Sequence, residues 1–515
     1  MREEMEHLLF DFVEFYNLLR EDENSPEVKD ALMVFARDYY ALLSRGASIY
    51  SMLDEELGDD VQLHILVLSA LFLVDKREET LNRIGELLYS EGLPLDAALR
   101  ILAQTVINRF FSGFPAAEYC GARRLHRHLL GRLERELSLP VVWIPCEERN
   151  QGLIVLESDT LIDGHAPSQI LLDIYKTLKE DLGYEVVLLV DYLSVNQYNM
   201  EDYWVLPYRT RYSPRLDGEF SINYRGVEVR GFQQVVREND LASIKNALEK
   251  IRELKPEFVW HIGGQSVLSD FLALAVPLVS MPCTDGYIIS EAPVLVSYMQ
   301  NDRERAGIIR DYMERRGQRY VDIQILSEFR DSGREYGNED FGIPEDGFAV
   351  AIVGNRLDTE ISREFMDIMK RILEREPKVY FLLIGKSDRD WSGGIFQGRV
   401  VCLGFCEDLY NVLGGTRLFL NPVRQGGSGG AARALAAGVP VLTLGDCDVA
   451  WAGEDFICGS LEEYPEMVSR YCHDQAFYES QSRRALEAFR SGEVNPGEEC
   501  ERVIRCVREW QEQEA

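Results

Sequence analysis

The chain has 515 residues, too many for one hydrophobic core, and its 46% apolar content is ordinary for globular protein, so two or three domains are expected. With 87 acidic against 55 basic residues the net charge is -32, which repels polyanions at long range and argues against nonspecific binding to nucleic acid or anionic membranes. Ten cysteines without paired metal-ligand spacing read as reduced core residues, and from the acidic Met1-Arg-Glu-Glu-Met-Glu no export signal is expected. The longest apolar stretch, Ile65 to Val74, is about half a membrane span, so no transmembrane segment and a cytoplasmic protein are expected.

Residues 1–138 read as an all-helical domain. Apolar residues recur at three and four in Leu8 to Leu19, Ala31 to Leu43, Val61 to Val74 and Ile101 to Phe111. Its last helix carries Arg123, Arg124, His126, Arg127 and His128, either a solvated basic face or a surface for an acceptor or a protein partner. Residues 139–335 alternate strands and helices. Val141-Val-Trp-Ile-Pro and Leu153-Ile-Val-Leu read as strands, a helix over Ser168 to Leu182 leads to Val186-Val-Leu-Leu-Val, and one over Leu241 to Leu254 precedes Phe258-Val-Trp-His-Ile-Gly. That alternation predicts a parallel sheet wound by right-handed crossovers.

An acidic linker from Ser332 to Gly347 precedes a second α/β block over residues 346–492. There Phe348-Ala-Val-Ala-Ile-Val reads as a buried strand, Ser362 to Glu374 as a helix, and Val379-Tyr-Phe-Leu-Leu-Ile-Gly as the next strand. Leu418-Phe-Leu and Val439-Pro-Val-Leu-Thr-Leu are further short apolar strands. Between them Gly426, Gly427, Gly429 and Gly430 remove side chains, Ser428 adds a hydroxyl, and Ala431 to Ala437 starts a helix whose free N–H groups suit a bound phosphate. Residues 493–515 form an amphipathic terminal helix with Cys500, Val503, Ile504, Val507 and Trp510 on one side.

The run from Asn421 through Val441 resembles the donor half of the GT-B glycosyltransferases. Asn421, Pro422, Arg424, Gly426, Gly427, Ala434, Leu435, Ala436, Gly438, Pro440 and Val441 stand where the family pattern N-P-x-R-x-G-G-G, then E-A-L-A-x-G-x-P-V, asks. The resemblance implies an α/β protein with two Rossmann-like domains behind the all-helical one: an acceptor side at 139–335, a nucleotide-sugar side at 346–492, and a terminal helix crossing back to the acceptor side. It implies transfer of a hexosyl or N-acetylhexosaminyl group from a nucleotide diphosphate-sugar to a glycan or protein acceptor, with no metal and no further cofactor. Arg356, Lys386 and Arg424 would neutralise the diphosphate, together with the loop Gly426, Gly427, Ser428, Gly429 and Gly430. Gly404 and Phe405 would lie near the base, and Asp446-Cys-Asp448 would form a sugar-facing loop.

Two positions depart from the family. Retaining members usually carry glutamates where Gln425 and Arg433 stand, and a guanidinium accepts no hydrogen bond from ribose, although it can hold phosphate. A non-catalytic scaffold of the same fold therefore stands beside the transferase reading. For acid-base work the sequence offers His165, in Gly164-His-Ala-Pro-Ser, and His261, at a strand end; each is equally read as a capped or buried structural histidine. Asp270 reads as structural or capping.

Overall fold

The structure, a computed structural model, describes residues 2–21, 25–46, 48–111, 119–137, 141–162, 165–191, 213–234, 241–283, 288–298, 303–323, 331–424, 426–491 and 495–514. They form two compact units. The first is Met1–Val296 with Tyr312–Val321 and Arg505–Ala515, and the second is Ser297–Asp311 with Asp322–Ile504.

Seven helices open the first unit: α1 Arg2–Glu21, α2 Pro26–Ser44, α3 Ile49–Leu57, α4 Val61–Asp75, α5 Glu78–Leu87, α6 Leu95–Phe111 and α7 Tyr119–Leu137. Ser25 caps α2 by accepting from the Val28 N–H, and Asp60 caps α4 from Leu63. Helix α4 is apolar all round and buries every residue from His64 to Phe72, so it is the centre of the helical region. The periodicity did not reveal α3 or α5. Each has only two or three buried positions, Ile49 and Leu53 in one and Thr80, Leu81 and Ile84 in the other, too few to stand out.

An eight-stranded sheet follows: β1 Asn150–Ser158, β2 Glu185–Val190, β3 Gly218–Tyr224, β4 Val227–Gln233, β5 Pro256–Gly263, β6 Leu278–Pro282, β7 Val294–Tyr298 and β8 Arg319–Ile323. Its spatial order is β3-β4-β2-β1-β5-β6-β7-β8, with β3 an antiparallel edge on β4. The helices among these strands are α8 Ala166–Lys176, α9 Ala242–Leu254, α10 Val267–Leu272 and α11 Arg303–Glu314. The helix expected over Ser168 to Leu182 ends early as α8 and continues as a π-turn, Thr177–Asp181. The expected strand at Val141 to Pro145 is absent. Val142 and Trp143 are exposed, and Trp143 instead meets Trp510 edge-on at 6.4 Å with the Arg149 guanidinium 5.4 Å over its ring. Through Trp143 the run meets the terminal helix, and it joins neither sheet.

The second unit holds β9 Phe348–Gly354, β10 Val379–Gly385, β11 Val400–Gly404, β12 Leu418–Leu420, β13 Val441–Leu444 and β14 Ile457–Cys458, all parallel, in the order β11-β10-β9-β12-β13-β14. Its helices are α12 Leu357–Glu360, α13 Arg363–Arg375, α14 Leu409–Gly414, α15 Ser428–Ala436, α16 Tyr464–His473, α17 Gln475–Ser491 and α18 Pro496–Glu514. Strand alternation divides the core: Phe348, Val350 and Ile352 pack with Phe365, Ile368 and Tyr464 on one face, while Ala349 and Ala351 join Leu435 and Ala485 on the other. Each large apolar side chain so buried contributes roughly 1.5–3 kcal/mol. The acidic stretch from Ser332 to Gly347 is not a free linker, because Phe341 and Ile343 are buried in the second of these faces and the Ser332 hydroxyl donates to Asp408 at 2.7 Å.

The end of α18, from Arg505, belongs to the first unit. Arg508 there donates to both oxygens of the fully buried Glu257 carboxylate at 2.7 and 3.1 Å. Among the described residues no helix is long and apolar enough to cross a membrane.

Candidate functional site

Both sheets reverse their winding at a central pair of strands, and in open α/β sheets the crevice beyond the carboxyl ends of such a pair is where ligands are held. In the second unit the pair is β9 and β12. Strand β9 runs into Gly354-Asn355-Arg356 and β12 into Asn421. Glu360, at the end of α12, lies between them. One of its oxygens accepts from Arg356 Nε at 3.2 Å and Nη2 at 3.1 Å, and the other accepts from Arg424 Nη1. Arg424 is held further by Nε donating to Asn421 Oδ1 at 3.0 Å, and only 4% of its side chain is exposed. Its Nη2 is buried without a partner. A buried unsatisfied donor costs about 1–3 kcal/mol, more when charged, so an acceptor that reached this nitrogen would relieve that cost.

Glycine makes room for that nitrogen. A Cβ on Gly427 would lie 2.7 Å from Arg424 Nη2 and 3.0 Å from Asn421 Oδ1, and the residue holds φ +98° as the N-cap of α15. At Gly354 a Cβ would lie 2.6 Å from Arg424 Nη1, so the guanidinium crosses directly over the end of β9. Gly426 closes the group: its N–H donates to Asp448 Oδ2 at 2.5 Å, a Cβ on it would lie 3.8 Å from Arg356 Nη2, and the Ser428 hydroxyl donates to the Asp448 carbonyl at 3.0 Å. Gly430 packs flat against Phe419 and Val353, and Gly429 receives Arg433, whose Nη1 donates to the Gly429 carbonyl at 2.8 Å.

The structure thus gathers Arg356, Arg424, Gly426, Gly427 and Ser428. Lys386, just past β10, is 70% exposed and pairs with Asp388 at 3.2 Å, and Arg433 is turned back along its own helix. Gln425 and Gly164 lie outside the described residues. Glu360 was missed by sequence reasoning. Its signal was the spacing of four from Arg356, which on a helical turn brings a carboxylate under a guanidinium.

In the first unit the central pair is β1 and β5, and the register sets Glu157 opposite His261. Both are buried. His261 Nδ1 is 2.6 Å from Glu157 Oε2 and Nε2 is 2.8 Å from the Gly264 carbonyl, so each ring nitrogen faces an acceptor. Burial opposes a charged ring, but the Glu157 carboxylate beside it and the Gly264 carbonyl outweigh that and raise the imidazole to about 9. Glu157 moves the other way: burial raises it, while His261, the Ser269 hydroxyl and Asp191 lower it further. His261 is a fixed imidazolium that keeps its protons near neutral pH.

Beyond these strand ends lies a cavity of about 50 Å³ lined by Asp159, Asp191, His261 and Gln265 on one side and by α6 on the other. Gln265 is oriented from behind, its Nε2 standing 2.8 Å from His126 Nδ1, while His126 Nε2 bonds the Asp270 carboxylate, which also accepts from Ser290 and Glu291. Of the basic residues of α7, Arg124 and Arg127 are exposed, while Arg123 and His126 are buried and so belong neither to a solvated face nor to a surface for a partner. His165 is the N-cap residue of α8, with Nδ1 3.2 Å from the Ser168 hydroxyl, and does not line the cavity.

No protein-family profile matches the chain, and no curated protein matches its sequence. Solved structures do. A lysine-to-methionine variant of the Thermobaculum terrenum O-GlcNAc transferase is 16% identical, with 100% of this chain and 99% of that one covered at a TM-score of 0.52. A glycosyltransferase from Rickettsia africae ESF-5 is 10% identical, covering 70% of this chain and 99% of its own at 0.46, and S. aureus TarM is 8% identical, covering 52% and 59% at 0.39. On the first of these likenesses, and on two parallel-dominated sheets behind a helical N-terminal region, the chain has the GT-B fold.

Proposed function

We propose that this protein transfers a sugar from a nucleotide diphosphate-sugar to an acceptor, with the diphosphate held at the end of β12. The observation that carries this reading is Arg424, a buried guanidinium whose Nη2 has no partner, facing a glycine loop at the start of a helix. A phosphate oxygen would accept from Nη2 and from the amides that open α15, with the helix dipole adding to the attraction. Glycosyl transfer leaves negative charge on the departing diphosphate, so cations that need no rearrangement to meet it lower the barrier. Arg424, already fixed by Glu360 and Asn421, fits that requirement. Arg356 is the second cation. Lys386 and Arg433 are kept as outer contacts, reached only by a ligand that extends past the loop. The acceptor, a glycan or a protein, is assigned to the first unit. There His261, as an imidazolium, organises Glu157 rather than taking a proton, and His165 stands apart as a cap.

Calorimetric titration with uridine, guanosine, thymidine, adenosine and cytidine diphosphate-sugars tests the reading. At least one should bind. Arg424→Ala should weaken it about 10- to 100-fold, the worth of a charged hydrogen bond, and Gly427→Asp should abolish it by placing bulk and a negative charge, like that of the phosphate, against Nη2. Equal affinity in wild type and both variants would remove the site. One observation favours a scaffold without turnover: Glu360 and Asp448 already occupy the arginines and the Gly426 amide. Binding without donor hydrolysis or transfer to any acceptor would select that reading.

A further inference from the structure

Arg149 is a second buried guanidinium, and among the described residues no carboxylate pairs with it. It follows the single turn Cys146–Glu148 that leads into β1, and only 6% of it is exposed. One nitrogen anchors it: Nη1 donates to the Glu257 carbonyl at 3.0 Å and to Gln511 Oε1, near the end of α18, at 3.1 Å. The edge formed by Nε and Nη2 has no partner among the described residues, and Nε is buried. The Glu257 carboxylate does not serve, since it is taken by Arg508 and by the Gly152 N–H. Burial pulls Arg149 below its ordinary range, although Cys146, Glu257 and Glu147 pull the other way. Gln511 adds a second orphan, because its Nε2 is also buried without a partner.

A carboxylate laid along the Nε and Nη2 edge would accept two parallel N–H bonds, the planar match that a guanidinium makes best. Gln511, already bonded to the same guanidinium, would add its amide by turning toward the ligand. A dianion such as phosphate suits the place less well, because Glu147 and Glu257 already stand close enough to act on this one cation. The surroundings are apolar on one side. Trp143 lies 5.4 Å from the guanidinium and meets Trp510 edge-on, and both Trp143 and the neighbouring Val142 are exposed, so an apolar group attached to the carboxylate would find cover there. All of this sits at the amino ends of β1 and β5, the other end of these strands from His261. We propose that Arg149, Gln511 and Trp143 bind a single carboxylate carried on an apolar group, a chemistry shared by free acids and by the terminal carboxylate of a peptide. The proposal does not depend on glycosyl transfer.

The test is titration of the full chain at pH 7 with sodium 3-phenylpropanoate, 3-phenylpropan-1-ol and sodium phosphate, followed by saturation-transfer NMR. Phenylpropanoate should bind at least tenfold more tightly than the alcohol or phosphate. Arg149→Met should abolish binding, and Trp143→Ala should weaken it about tenfold. Gln511→Glu supplies the missing counter-charge from within the chain, so it should also abolish binding while raising the melting temperature; it serves as the control should Arg149→Met fail to fold. Alcohol or phosphate binding as tightly as phenylpropanoate, no binding of any of the three, or unchanged phenylpropanoate binding in Gln511→Glu would overturn the proposal. Acetyl-glycyl-phenylalanine with a free or an amidated carboxyl group separates the two sources. A free form that binds at least tenfold more tightly than phenylpropanoate, with no binding of the amide, supports a peptide terminus; weaker binding than phenylpropanoate supports a free acid.

Discussion

The two reversal points have the same topology and opposite electrostatics. At the end of β9 and β12 two guanidiniums gather round one carboxylate, Glu360; at the end of β1 and β5 carboxyl groups gather round one imidazolium, His261. In each place a buried counter-charge fixes the group of interest, and in each a polar atom is left over: a donor at Arg424 Nη2 and an acceptor at Gln265 Oε1. The winding of the sheet decides where a site can be, and a few residues at strand ends decide the charge gathered there.

The harshest way to break the comparison is Glu360→Ala. It leaves Arg424 buried and unpaired, which should cost about 3–5 kcal/mol in urea denaturation, and inorganic pyrophosphate should restore part of the loss by supplying the missing anion. A cost under about 1 kcal/mol would mean that Glu360 is not the hub. On the other side the equivalent probe is pH. His261 is raised from 6.5 to about 9, so its contribution is full below pH 6.5 and is lost as pH rises through 9, with a slope of at most about 1.4 kcal/mol per pH unit. Glu157 is lowered, so its share is present above its ordinary value of 4.5 and lost in acid. Wild-type stability should therefore decline between pH 6.5 and 9, and His261→Gln should flatten that decline; an identical slope in both would show that the ring is uncharged. The smallest effect is expected at Lys386. Since it is 70% exposed, Lys386→Ala should leave the melting temperature within about 1 °C and weaken nucleotide binding no more than about threefold. A loss as large as that of Arg424→Ala would place the lysine inside the site.

How much of this was readable in the sequence differs between the two regions. The second unit was legible almost strand by strand, because its strands are buried on both faces and read as continuous apolar runs, and the helix expected over Ser362 to Glu374 forms as α13, with Ser362 as its cap. Its glycine loop and Arg424 were legible from local pattern, but Glu360 lies 64 positions from Arg424 and only the folded chain brings them together. The first unit was harder. Glu157 and His261 each interrupt an apolar strand, a signal that a buried polar pair was required, but their partnership depends on register across 104 residues. Asp159 and Asp191 gave no local signal, since a polar residue just after a strand is what any turn supplies. The false strand at Val141 to Pro145 shows the converse: an apolar run need be neither a strand nor wholly buried, since Val142 and Trp143 are exposed there.

The bond from Gly426 to Asp448 has a consequence for selectivity. With that amide already facing a carboxylate, the proposed ligand would not fill an empty socket but displace a resident anion, and its observed affinity would be the difference between the two interactions. On the glycosyl-transfer reading proposed above, a singly charged ion would gain little over Asp448, whereas a diphosphate would reach Arg424 and Arg356 together. If the loop takes the proposed diphosphate, it would act as an ion exchanger with a threshold, passing over small singly charged anions and yielding to a polyvalent one.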